Sequence, residues 1–558
     1  MKTKTCLLIC FCFIVYINSF AQTFISGFIS TNTTWSVAGN PYIVNGNALL
    51  THGNTLTIEP GVIVKFETDK ALQIDGELIA IGTFEDQITF TSNQANPQKG
   101  DWAKIHFADT CIDAVFDSQG KYQSGSIMKY CNVLYAGGIG YGAIHMERSA
   151  PYLSYCRIIS SFTNGIFSFE STYIIDSSLI KGCENFGIMN TYSYYLTGNI
   201  KIQTDTFEMN NGAIYFSGNY TTYDRIVSNN VFRNNHGPNH LIFFDGQNFY
   251  FNNNLFVNND FSGYGASLVY CPSSSEAYIF CNIFLNNLFD VGSCIACPLG
   301  GEIHHNLFDG NIGINEATCL YIVTTYPTIY IYQNILNSNS NSLGSICKLI
   351  PPLAYPSVSM HVERNDFKNN IAPNTIFIDN AWQQTDPANY SLYMKHNNFL
   401  NPENIEIYNN VQYGNQDFYL DSNYWGSTNP QHCDSVIYDY FDFANQSVVY
   451  YLPMLSAAVV VDTMCSSIPN SIADLNLSTG KFLLFPNPAN DLINVIIPIV
   501  NSQVELNIYS TTMQLVKTIN ANSGGETTIT VSDLPPGIYF IDAQADNQHW
   551  RQKLIINR

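Results

Sequence analysis

Residues 228–235 read SNNVFRNN and residues 252–259 read NNNLFVNN, a short apolar centre clamped between asparagine doublets. Related copies are CNVLYAG at 131–137, CRIISS at 156–161, CNIFLNN at 281–287, HNLFDGN at 305–311 and QNILNSN at 333–339. The series continues as RNDFKNN at 364–370, HNNFLNP at 396–402 and SNYWGS at 422–427. Counting weaker copies at 177–182 and 204–211, the spacing wanders between about 21 and 32 residues and averages about 26, a period that signals a solenoid. Leucine-rich repeats share that period, but no LxxLxL frame recurs.

Each copy is followed by a second β-rich stretch, for example GAIHM at 142–146, GIFSF at 165–169, GAIYF at 212–216 and SLVYC at 267–271. Two or three short strands per turn, separated by polar bends, make the rung of a parallel β-helix, with rungs stacked about 4.8 Å apart. The asparagines then have a structural reason. Asn tolerates the left-handed conformation of a sharp bend, and its amide both donates and accepts, so stacked copies can bond along the axis. Alternation turns one residue of the apolar centre into the interior.

The bulk numbers agree. The chain has 558 residues, 46% hydrophobic and only 12% charged, a balance suited to strands and turns. Residues 1–21 carry two lysines, an apolar run and a small-residue site at Ala21, the anatomy of a signal peptide cleaved before Gln22. The apolar run is shorter than the roughly 20 residues of a membrane span. No later segment is long and apolar enough to span. The net charge is −21, and loss of Lys2 and Lys4 makes it two units more negative. That disfavours nucleic acid as a partner, and acidic polysaccharide as well unless calcium bridges the charges. Three of the 15 cysteines leave with the leader, and the rest enter a compartment where disulfides persist.

The pattern resembles the right-handed parallel β-helix of the pectin-lyase-like fold. LTIEPGVIVKF at 56–66, GTFEDQITFTS at 82–92 and DWAKIHF at 101–107 look like opening turns of bacterial surface β-helix proteins. SNYWGS, VIYDYFDF at 436–443 and VVYYLP at 448–453 look like their closing segment. After a Ser- and Asn-containing stretch near 466–479, shorter strands with turn signals suggest a small C-terminal β-sandwich. FPNPA at 485–489 with Asp491, LPPGIYF at 534–540 and KLII at 553–556 make this part similar to the type A C-terminal sorting domain of the type IX secretion system. The resemblance assigns the sorting signal to Phe485, Pro486, Asn487, Pro488, Asp491, Leu534, Pro536, Gly537, Tyr539 and Lys553. Met513 stands where the family usually has Gly. The expected division is a signal peptide at 1–21, an N-terminal cap and first turns at 22–110, the β-helix with its closing segment at 111–455, a linker at 456–480 and the sorting domain at 481–558.

Polysaccharide lyases and hydrolases on this fold work with carboxylates, calcium and a basic residue, but none of their compact motifs is evident. The best catalytic candidates are Glu147 and Glu170, each five residues after a strand-opening Gly, with His145 and Arg148 close by. A one-residue slip in register would separate them. Asp109, Asp113 and Asp117, spaced by four, suggest a calcium loop but lack the alternating oxygens of an EF-hand. CIACP at 294–298 is formally CxxC, without a thioredoxin-like context. Cys131 and Cys156 share a repeat position on adjacent turns, at a separation that a disulfide can bridge. Of the 36 Tyr and 36 Phe, some must face outward, TYSYY at 191–195 being one candidate, either to stack on sugars or on rung neighbours. The expected product is a monomeric secreted or cell-surface rod that binds extracellular glycan or another surface, as an adhesion protein would, without catalysis. The rival is a polysaccharide lyase or glycoside hydrolase.

Overall fold

A computed structural model describes residues 22–462 and 465, apart from 192–197, 218–222, 247, 273–275, 298–299, 325–327, 353–358, 380–390 and 413–416. In the C-terminal part it describes 483–556, apart from 486–488, 490, 497–503, 511–513, 522–525 and 546–547. The expected signal peptide, the linker core, most of TYSYY, Met513 and the sorting residues Pro486, Asn487 and Pro488 lie outside the described residues.

The rod is a parallel β-helix. One face is a sheet of 14 strands, and the other two faces share a sheet of 29. A representative turn runs through Phe249–Asn252, Leu255–Val257 and Val269–Tyr270, and the next through Glu276–Phe280, Ile283–Leu285 and Ile295–Cys297. These strands pair in parallel, with Phe251 beside Ile279, Phe256 beside Phe284 and Val269 beside Ile295.

The asparagine doublets divide the labour of a corner. The first member bends the chain: Asn229, Asn234, Asn253 and Asn258 have φ of 59°, 53°, 58° and 54°. The second is buried and ties the rungs together. Asn230 donates from its backbone and side chain to Oδ1 of Asn254, and Asn254 does the same to Asn282. A parallel ladder runs from Asn210 through Asn235, Asn259, Asn287, Asn311, Asn339 and Asn370 to Asn401. Every member is thus a satisfied buried amide, the condition under which polar groups can be taken from water.

Between the ladders the aromatic centres stack inside the rod. Phe207, Phe232, Phe256, Phe284 and Phe308 follow one another at ring separations of 5.0, 4.7, 4.7 and 4.8 Å. Each is fully buried, worth about 1.5–3 kcal/mol of transfer free energy. At the far end the sequence foresaw only strands, but Pro430–Val436 is an α-helix. Asn429 accepts from the Gln431 N–H as its cap and Pro430 fills the first turn, where its missing N–H costs nothing.

The C-terminal strands build a separate core. An antiparallel sheet of three strands and another of four both contribute to it, with Ile493 and Ile529 from one and Leu506, Ile541 and Leu554 from the other.

Candidate functional site

In the strand Gly142–Glu147, Ile144 and Met146 point into the core, so alternation sends His145 and Glu147 to the outer face. One rung earlier, Ile105 and Phe107 are interior, which sends Lys104 and His106 to the same face. His145 is the register partner of His106, and their rings stack at 4.5 Å and 20°. Lys104 Nζ donates to His145 Nδ1 at 3.1 Å, and His106 Nε2 lies 3.3 Å from Glu147 Oε2. That last contact is close without being aligned as a hydrogen bond, because His106 Nε2 is buried with no hydrogen-bond partner.

Burial is the main electrostatic influence here. It pushes His145 down to about 3, helped by His106 and Lys104. It lowers His106, where Lys104 adds to the effect and Glu147 opposes it. Lys104 is lowered by burial against the pull of Glu147. At neutral pH both imidazoles are uncharged, and the single ring-nitrogen lone pair of His145, at Nδ1, is engaged by Lys104.

Arg148 and Glu170 belong to the next corner. Each follows its strand in the left-handed region, at φ of 45° and 47°, and Arg148 Nε donates to Glu170 Oε2 at 2.7 Å. The expected alignment of Glu147 with Glu170 is off by one residue. Glu147 lies beside Phe169, and Glu170 sits over Arg148. The two carboxylates therefore have different partners, one an imidazole and the other a guanidinium. Tyr141, 63% exposed, stacks on Phe167 at 4.7 Å and borders His145 edge-on.

Of the four candidates, His145 and Glu147 share the outer face of one strand, while Arg148 and Glu170 pair with each other at the corner that follows. Lys104 and His106 were missed, although DWAKIHF already places them at alternate, outward positions. Asp109, Asp113 and Asp117 do not converge. Asp113 accepts from the Ala150 N–H, 37 residues farther on, and Asp117 from those of Gln119 and Lys121 in its own turn, so their oxygens are taken by backbone. Among the described residues, the donor atoms that gather within 4.8 Å are those of His106, His145 and Glu147.

The expected Cys131–Cys156 bond is not made. Both are buried thiols on adjacent rungs, and each points its sulfur at backbone carbonyls, Cys131 at Ala80 and Cys156 at Met128. Among the described residues the disulfide is Cys281 to Cys465, which straps the segment after the last turn onto the rod. Cys294, the first cysteine of CIACP, is a buried thiol.

Beyond His145 the outer column continues rung by rung through Phe167, Met189, Tyr215, Phe243 and Tyr270. Farther on it holds Tyr321, Lys348, Phe377, Tyr408 and Tyr438. In the C-terminal part, Tyr539 Oη donates to the Pro535 carbonyl at 2.8 Å and so braces the LPPG turn, with Leu534 buried and Pro536 and Gly537 exposed. Phe485 and Lys553 lie in strands of the two sheets, and Asp491 precedes the strand Leu492–Ile496.

Residues 27–158 match the family described as the pectate-lyase-like beta helix domain, and residues 483–557 match the secretion system C-terminal sorting domain. The comparison with curated proteins gave no match. Among solved structures, one similar chain is a mannuronic acid specific polysaccharide family 6 lyase from human gut microbiota. It is 12% identical, with 63% of this chain and 82% of that one covered and a TM-score of 0.31. Another is a periplasmic alginate epimerase, 12% identical over 74% of this chain and 77% of that one, at a TM-score of 0.16. Among the described residues no helix is long and apolar enough to cross a membrane. The chain is a parallel β-helix whose first turns are of the pectate-lyase-like kind, and its tail is a sorting domain that directs it through type IX secretion to the cell surface or the medium.

Proposed function

We propose that the exported chain is a non-catalytic protein that binds neutral extracellular polysaccharide along its outer sheet face. The observation that carries this is an outer column made mostly of ring-bearing residues, interrupted at Met189, Ala296 and Lys348. Tyr215 and Phe243 stack at 4.6 Å and 13°, Phe377 and Tyr408 at 5.2 Å and 10°, and Tyr408 and Tyr438 at 4.5 Å and 9°. Rings stacked along the axis turn their edges and phenol oxygens outward. A solenoid repeats that display every 4.8 Å or so, which suits a polymer whose hydroxyls and C–H faces also repeat. The strongly acidic balance favours a neutral chain over a uronate-rich one.

Part of the ring stacking is structural, since each ring also covers its neighbour. The test must therefore read binding rather than stability. The mature protein is run by affinity electrophoresis through a panel of plant and algal polysaccharides, with and without calcium. Retardation by a neutral polysaccharide that is lost in Tyr215→Ala/Tyr270→Ala, with unfolding unchanged, is the expected result. New reducing ends or unsaturated sugars in the same incubations would overturn the reading in favour of a glycoside hydrolase or a polysaccharide lyase.

A further inference from the structure

The cluster at the start of the outer column is chemically unlike the rest of it. Farther along, the column is largely rings and aliphatic groups, whereas His106, His145 and Glu147 bring two imidazoles and a carboxylate to adjacent rungs of a rigid sheet. We propose that His106, His145 and Glu147 form a binding site for one divalent d-block cation of the Zn²⁺ or Co²⁺ kind.

Three observations support it. The donor atoms, one from each residue, already lie within 4.8 Å of one another. The His106 Nε2 to Glu147 Oε2 separation is 3.3 Å. That is close to the edge of a tetrahedron with bonds of about 2.0–2.1 Å, roughly 3.4 Å. His106 Nε2 is also buried without a hydrogen bond, a cost that a metal bond would remove. Two imidazoles with one carboxylate suit borderline cations, whereas calcium and magnesium require more oxygen ligands. Glu147 is 40% exposed at its side chain and gives the cation its way in.

Lys104 is the built-in competitor. Its ammonium donates to His145 Nδ1, and an imidazole that accepts at Nδ1 carries its own proton on Nε2. His145 therefore has no lone pair to offer until Lys104 withdraws, and cation and ammonium exclude one another by charge as well as by position.

The experiment is calorimetric titration of the metal-stripped full mature protein with Zn²⁺, supported by the visible absorption of Co²⁺. Uptake of one equivalent is expected, undisturbed by excess Ca²⁺. His106→Gln and Glu147→Gln should each weaken it by at least about tenfold, the loss usual for removing even an outer partner of a ligand. Lys104→Met should tighten it, a gain that misfolding cannot produce. Absence of stoichiometric uptake, or equal affinity in the wild type and both ligand variants, would overturn the site. Unchanged affinity in Lys104→Met would overturn the competition.

Discussion

Asn254 gives both its backbone N–H and its side-chain N–H to a single acceptor, Oδ1 of Asn282, each at 3.0 Å. Its own Oδ1 receives the same pair from Asn230, and its amide also reaches the Val227 carbonyl. Asn254→Ala leaves the two Asn230 donors without an acceptor in a region closed to water. An orphaned buried group costs about 1–3 kcal/mol, so a loss of about 3 kcal/mol is expected. Urea unfolding should show it as a lower midpoint, and a shift equivalent to less than about 1 kcal/mol would mean the ladder is not a stabilising element.

The second ladder ends on a carboxyl group rather than an amide. Asn401 donates from its backbone to Glu406 Oε1 at 2.8 Å and from its side chain to Oε2 at 2.9 Å. Burial raises Glu406 to about 7, opposed by hydrogen bonds from Thr375 and Asn401. The unfolded carboxyl titrates near 4.3, so between about pH 4.3 and 7 the native state holds a proton that the unfolded state has lost. Stability therefore falls as pH rises through that window and levels off above it. The total for this group is about 4 kcal/mol at about 1.4 kcal/mol per pH unit. Denaturation of Glu406→Gln across pH 4–8 should lack that slope, and identical slopes in the two proteins would refute the assignment.

The cysteine chemistry is open to a single mapping experiment. Non-reducing digestion should yield a peptide pair joined through Cys281 and Cys465, which are 184 residues apart in sequence. Cys131 and Cys156, both buried, should resist alkylation in the native state and label fully in denaturant without reductant. A peptide carrying Cys131 joined to Cys156 would reverse this pairing.

The repeat was legible because a ladder along the axis demands the same residue at every turn, so Asn230, Asn254 and Asn282 had to appear as a periodic signal. The ionisable cluster was only half legible. Lys104 and His145 touch across a sequence separation of 41, because an excursion with the antiparallel pair Val115–Phe116 and Tyr122–Ser124 enlarges that turn. Arg148 and Glu170 touch across a separation of 22, one residue fewer than aligning Gly142 with Gly165 implies. A one-residue slip exchanges the faces of a strand, so register, and with it the pairing of carboxylates, is decided by packing rather than by spacing. The pairing of Cys281 with Cys465 carried no periodic signal, since Cys281 opens a repeat copy and Cys465 lies beyond the last turn.

The sorting tail and the rod share no residue between their cores, the rod core ending at Val449 and the tail core starting at Leu484. Residues 483–558 can therefore be removed without opening the β-helix. The truncated chain should unfold at the same denaturant concentration as the intact one, while failing to leave the cell, because the export signal lies in the matched segment 483–557. Tyr539→Ala removes the hydrogen bond that braces the LPPG turn and should reduce export while sparing the rod. Immunodetection in periplasm, surface and medium checks both variants. Truncated protein at the surface or in the medium at wild-type levels would show that export does not depend on this tail.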